Sequence, residues 1–475
     1  MKKIIILTFI ISVLCGCNRP VAETETAPAL PEMSETEATK NLINDTSLNV
    51  AVIGTPCWNP HGEQQKINRD AMNFIYEPLY TLDSQLNPVP VLADRLEADG
   101  RTIRIYLKSG VTFHDGTELT PDDVAYSANF IVYNSSVYPN DGLIKASAKN
   151  GYVEFTLTHP QPLPEKIFTF PIVKNKSEES LPYPVGTGPM KYVKKNGYDT
   201  FMLTFYENYH GTEPVFNQMT MISVKEEEQA KRLFEIGETD IIRTNTFSSV
   251  APRANATFNE YISSKMVFIG FNTEKVPLSV RQAVYYGLDR RAVSENCFPY
   301  AAEFSNIPLN PSWNVLESIE NKSPLDEDLA DNVLQDDGYV TSEKSCKKDG
   351  KQLTLDVIIE TGDEYKKIYD EFEKAMKQFG IKCHLTETDY YYERLMFGLY
   401  DVCIGAVRMD TDLNALLGEG NPFKYDNAEM RMLAENKETV KDALDIAMAD
   451  VPIIPVCFEK EAVSVCSKFA DKLGG

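Results

Sequence analysis

Histidine and tryptophan are nearly missing from this chain, whose 475 residues include five His and two Trp. His61, His114, His159, His210 and His384 are scattered, so no pair stands at metal-ligand or catalytic spacing. The nine Cys form no C-x-x-C and no Cys/His cluster, which argues against a structural metal site. No G-x-S-x-G, H-E-x-x-H or P-loop sequence occurs, so the usual signatures of hydrolases, zinc proteases and nucleotide-binding enzymes are lacking. We therefore expect no enzyme, no cofactor and no metal. Basic residues are scarce as well: 47 Lys+Arg face 70 Asp+Glu, a formal charge of −23. That field repels polyanions and argues against a nucleic-acid partner; its simplest meaning is solubility.

What remains is ordinary globular composition, 43% hydrophobic and 25% charged, in a chain long enough for two or three domains. Lys2 and Lys3 precede an apolar run from Ile4 to Leu14, the layout of a secretory signal peptide over residues 1–16 and too short for an ordinary membrane span. Leu14-Cys15-Gly16-Cys17 resembles a bacterial lipobox, which implies lipidation at Cys17. Residues 17–46, rich in Glu, Thr, Ala and Pro, read as a disordered tether. Beyond Cys17 the cysteines are odd in number and irregular in spacing, a poor disulfide framework. Cys383 with Cys403, or Cys457 with Cys466, are the pairs that adjacent strands would bring together; otherwise these read as small buried residues.

The stretch Asp94 to Val132 carries the most information. Ile103, Ile105 and Leu107 alternate with polar residues into a strand, and Ser109-Gly110 and His114-Asp115-Gly116 supply turns. Thr120-Pro121-Asp122-Asp123 is a helix start, with Thr at the N-cap, Pro at the first helical position and acids in the first turn. The run Gly110-Val-Thr-Phe-His-Asp-Gly-Thr-Glu-Leu-Thr-Pro-Asp-Asp-Val124 resembles the signature of the bacterial extracellular solute-binding proteins, family five, the peptide- and nickel-binding receptors of ABC importers. Glu77-Pro78-Leu79, Gly186-Thr187-Gly188-Pro189, Asn208-Tyr209-His210-Gly211 and Phe268 to Thr273 fit the same family.

The resemblance implies an α/β, two-lobed periplasmic-binding-protein fold of type II kind, with an extra domain inserted in the first lobe. We expect lobe I in residues 47–80, 185–271 and 450–475, the inserted domain in 81–184 and lobe II in 272–449, with hinge strands near Phe271 and Val451. From residue 323 the pattern itself is α/β. Strands near 353–359, 381–385 and 400–407 alternate with helices after Gly362 and over Tyr391 to Met396, which predicts parallel strands and ligands beyond their carboxyl ends.

The loop after Val407 reads Arg408-Met409-Asp410-Thr411-Asp412. In peptide binders of the family an Asp in this loop holds the ligand's amino terminus. Asp410 fits best and Asp412 second, while Arg408 offers a fork for a carboxylate. Two departures are visible: Ala406-Val407 stands where Gly-Trp is expected, and the loop to the next helix is short. The loop after the first strand places Trp58 and His61 toward the family's cleft. The resemblance thus implies a monomeric, extracytoplasmic lipoprotein, on the periplasmic side or outer face of the bacterial membrane. It would capture a small solute, chiefly an oligo- or dipeptide, and deliver it to an ABC permease and ATPase. A sensory or adhesive lipoprotein without transport, or a nickel-chelate binder using His61, are the alternatives.

Overall fold

The computed structural model describes residues 47–62, 66–134, 142–176, 183–197, 200–245, 255–322 and 324–469. Cys17, the apolar run before it and the segment as far as residue 46 lie outside the described residues. Among the described residues, no helix is long and apolar enough to cross a membrane.

Two long strands form the spine. Ala256–Phe271 and Ile453–Cys466 run antiparallel through the middle of an 11-stranded sheet. Met266 to Phe271 and Ile453 to Phe458 are unbroken buried runs, as suits strands covered on both faces. Pro455, which has no N–H for the ladder, sits where the register shifts between Val267 and Phe268, so a bulge absorbs it.

Each long strand serves both halves of the sheet. Lys265 to Phe271 pair antiparallel with Val402–Arg408, which continues in parallel to Thr354–Glu360 and then to Lys382–Thr388. Glu461 to Val465 pair instead with Ile241–Asn245. From there the sheet continues through Ser47–Ile53, Gln218–Val224, Thr200–Phe205 and Met190–Asn196. The pairing between the two long strands breaks from Ile262 to Met266, at Ser263-Ser264-Lys265.

The parallel portion matches its sequence pattern. Helix Asp363–Gln378 buries Ile368, Phe372 and Met376 on one stripe, and Gly380 ends it at φ 70°, where a side chain would be strained. Strand Thr354–Glu360 lies between the strands of Cys383 and Cys403, so that pair cannot bridge. Cys457 and Cys466 stand at separate positions of a single strand. All seven described cysteines are free thiols.

Ala93–Asp99, Thr102–Leu107, Tyr152–Leu157 and Leu143–Lys149 form a separate four-stranded antiparallel sheet, covered by helix Pro121–Asn134. The helix begins as its first residues predict. Asp123 Oδ2 accepts from the Thr120 N–H at 2.9 Å and the Thr120 hydroxyl at 2.6 Å, while Oδ1 takes the Asn175 N–H. His114 fastens this unit to the main sheet. Its N–H donates to Gly186 O at 2.9 Å and its Nε2 to Gly188 O at 2.8 Å. A Cβ at Gly186 would stand 1.9 Å from Ile75 O, so only glycine admits this close approach. The family signature is therefore a structural clasp.

Candidate ligand-binding site

Strand Val402–Arg408 delivers the 408–412 loop to the place where the long strands lose register. The Met409 N–H donates to Ser264 O at 2.7 Å, and the Asn310 N–H donates to Asp410 O at 2.8 Å. With its backbone held on both sides, Asp410 has little freedom. Its side chain is 6% exposed and faces Lys166 Nζ at 3.1 Å and the Arg408 guanidinium at 3.7 Å. Lys166 comes from a short 3-10 helix, Pro164–Phe168, whose Ile167 and Phe168 are part of the smaller sheet's core. Burial pushes the Asp410 carboxyl up. The Lys166 and Arg408 charges, with hydrogen bonds from Ser264 and Lys166, outweigh burial and hold it below its ordinary value. Asp410 is thus an anion at neutral pH, set in a buried wall and matched to an ammonium.

Asp412 makes a second tie. One oxygen caps helix Leu413–Leu417 by accepting the Asn414 N–H at 2.9 Å. The other accepts from His159 Nε2 at 2.9 Å and from the Gln161 amide at 2.7 Å. His159 Nδ1 lies 3.0 Å from Thr158 Oγ1, so both ring nitrogens have acceptors for the protonated form. Burial disfavours that form, but Asp412 and, more weakly, Glu435 outweigh it and raise the His159 pKa. A third tie joins Asn314 to Gln85 O and to the Asn87 side chain, the latter at 2.6 Å.

The first of these ties, at Asp410, forms part of the wall of a cleft of about 590 Å³ lined from both sides. Lys66, Arg69, Lys166, Arg243, Lys265 and Arg408 contribute basic groups to its walls; Asp70, Asp83, Asp410 and Glu461 contribute acidic ones. The balance is the reverse of the −23 carried by the whole chain. Much of it is spent internally. Arg243 reaches Asp70 at 2.8 Å, Lys66 pairs with Glu461, and Lys265 pairs with Glu459 at 2.6 Å.

Of the residues singled out in the sequence, Arg408, Asp410 and Asp412 come together, the first two on the cleft wall. Trp58 and His61 stand elsewhere. Trp58 packs its ring against Tyr192 and Phe201, both at 5.4 Å, and its carbonyl accepts from the Tyr76 hydroxyl. His61 is buried beside Phe130, with Nε2 donating to Pro171 O at 2.7 Å; burial lowers its pKa to about 4. Lys166, His159 and Gln161 carried no local signal. Glu77 and His210 likewise meet only in three dimensions, at 2.8 Å, where Tyr209 and Thr187 also donate to Glu77. They border a second cavity of about 710 Å³ whose lining residues all precede residue 213. That cavity has no wall from the 263–265 break or the 408–412 loop, so an occupant would not bridge the two halves. Among the described residues, no group of three or more His, Cys, Asp or Glu could hold a metal ion.

A sheet divided between two halves, two strands shared by both, a small inserted sheet and a charged cleft define a two-lobed solute receptor. The chain belongs to the bacterial extracellular solute-binding proteins, family 5, whose middle region matches residues 87–415. Proteins of this family bind solutes for ABC importers and are not enzymes. The chain is 25% identical over 368 residues to the oligopeptide-binding protein AppA of Bacillus subtilis, a match spanning 70% of this chain and 68% of that protein. Two solved structures share its fold. The periplasmic murein tripeptide binding protein MppA, in an unliganded open form, superimposes with a TM-score of 0.70 at 18% identity, over 89% of this chain and 93% of that one. A nickel ABC transporter structure from Bacillus halodurans gives 0.69 at 19% identity, over 89% and 95%.

Proposed function

We propose that this chain is the lipid-anchored substrate-binding protein of an ABC importer for oligo- or dipeptides. The ligand sits in the cleft between the lobes and is handed to the permease and its ATPase. The observation that supports this most is Asp410, a buried carboxylate kept charged on the cleft wall and engaged with a primary ammonium. A peptide's amino terminus has the same chemistry, and charge-assisted bonds of this kind are strong in a partly dry site. Arg408, half exposed beside it, is the group we assign to a ligand carboxylate.

In this reading lobe I comprises 47–80, 185–271 and 450–475, the inserted domain 81–184 and lobe II 272–449. The swivel falls at Ser263-Ser264-Lys265, a few residues inside the end of the long strand at Phe271. Broken pairing there lets the halves rotate without tearing a ladder. Closure is favoured by the ligand only as far as it touches both lobes, so the cleft, and not the cavity at Glu77, is the site. Lipidation at Cys17 would hold the monomeric receptor near its permease and raise the local concentration.

Native mass spectrometry of the full-length protein extracted in mild detergent tests the reading. A co-purified peptide, displaced on adding an excess of a tripeptide, is the expected result. A cleft that takes no member of a broad di- to pentapeptide panel would sink it.

A further inference from the structure

The cation seated on Asp410 belongs to the chain itself. Lys166 and Asp410 have side chains 11% and 6% exposed, and their contact spans the cleft. One partner is carried on the 3-10 helix of the small sheet, the other on the loop that follows Val402–Arg408. Ile167 and Phe168 anchor the helix beneath Lys166, so the ammonium is presented to the carboxylate from a fixed base. Both residues also line the cleft, so the pair is itself part of the wall a ligand would meet.

We propose that Lys166 is a built-in competitor: its ammonium fills the seat at Asp410 when no ligand is bound, and an incoming primary amine must displace it. The inference rests on the reading of Asp410 as an ammonium seat and adds the group that sets its selectivity. Two consequences follow from elementary equilibria. Apparent affinity for an amine is lowered by the fraction of time the lysine is seated. Ligands whose amine is blocked or absent cannot evict the lysine and are rejected at this position. Eviction also moves the Lys166 ammonium along a cleft it shares with Arg408, so that a ligand carboxylate can meet both cations. The device thus favours zwitterions over simple amines.

Chemical rescue tests this without any peptide. Lys166→Ala deletes three carbons and the ammonium, the atoms of n-propylammonium. The variant is expected to fold, because Asp410 keeps Arg408 at 3.7 Å and its bond from Ser264. Lys166→Met, which keeps an apolar stem, is the second variant should Ala prove unstable. Thermal melts of the full chain are compared in n-propylammonium chloride and in sodium chloride at equal ionic strength. The expected result is a higher Tm with the amine in Lys166→Ala, and no such rise in wild type or in Lys166→Ala/Asp410→Asn. An equal response in all three overturns the proposal. Calorimetry with tri-alanine adds a second arm, in which Lys166→Ala or Lys166→Met binds roughly tenfold more tightly than wild type if the seat is open about a tenth of the time. Peptide binding unchanged by these substitutions removes the lysine's role and leaves the peptide reading intact. Rescue by propylammonium with no peptide bound by any variant does the opposite.

Discussion

Removing the carboxylate from the Lys166–Asp410 pair should cost more than removing the ammonium, and the two losses should not add. The structure supplies the asymmetry. Asp410→Asn leaves Lys166, 11% exposed, and Arg408 facing a neutral amide. Breaking a buried pair from one side typically costs 3–5 kcal/mol; because this one borders an open cleft, we take the low end, about 3 kcal/mol. Lys166→Met leaves Asp410 with Arg408 and Ser264 still in place, so about 1–2 kcal/mol is expected. The double variant removes both charges together and should lie near the Lys166→Met value, a coupling of roughly 3 kcal/mol. Urea unfolding followed by far-UV circular dichroism and by fluorescence measures this, with Trp58 and Trp313 reporting from different cores. Separate midpoints from the two probes would show the lobes unfolding independently, and the cycle is then read on each transition. Additive losses, or a larger cost for Lys166→Met than for Asp410→Asn, would refute the reasoning.

Two further predictions concern pH. His61 and His114 are buried, and burial depresses both to about 4. The unfolded chain, titrating near 6.5, therefore takes up their protons first, so the stability they confer is full above about pH 6.5 and lost as pH falls toward 4, on the order of 3 kcal/mol each. Urea midpoints from pH 7 to 4 should fall steeply in wild type and about one proton less steeply in His114→Gln; an unchanged slope contradicts the assignment. His159 runs the other way. Facing Asp412 and Glu435, with Gln161 donating to the same Asp412 oxygen and Thr158 at its other nitrogen, its pKa is raised. Its contribution is therefore complete below about 6.5 and lost as pH climbs through the raised value. The radius of gyration from small-angle scattering should grow over that range in the unliganded wild type and stay flat in His159→Gln; equal curves for the two would show that the His159–Asp412 tie does not hold the halves together.

The elements legible in the sequence are those whose causes are local. Thr120 to Asp123 announce a helix start by residue type and spacing, and the structure shows that cap with Asp123 reaching back to Thr120. Gly380 and the stripe of Ile368, Phe372 and Met376 likewise define their helix from within. The loop at 408–412 could be located because the end of a parallel strand is where ligands meet such sheets. The other wall of the cleft could not. His159 and Asp412 are 253 residues apart, and nothing near His159 announces an acid partner. Lys166 sits in a Pro-rich passage that reads only as a boundary, and its importance comes from a helix of five residues that has no periodicity to detect. The break at Ser263-Ser264-Lys265 is hidden for a related reason, since only the partner strand reveals the lost register. The disulfide candidate Cys383 with Cys403 failed on strand order: Thr354–Glu360 inserts between their strands, which sequence spacing does not reveal.

The central claim is that Asp410 receives a ligand's primary ammonium. Isothermal calorimetry with tri-alanine and N-acetyl-tri-alanine, on wild type and Asp410→Asn, tests it most directly. A charge-assisted bond of 1.5–3 kcal/mol corresponds to roughly tenfold or more in affinity. The account predicts that wild type prefers the free amine by at least about that factor, and that Asp410→Asn loses the preference. Equal binding of the two peptides by wild type, or a preference that survives in Asp410→Asn, would contradict it.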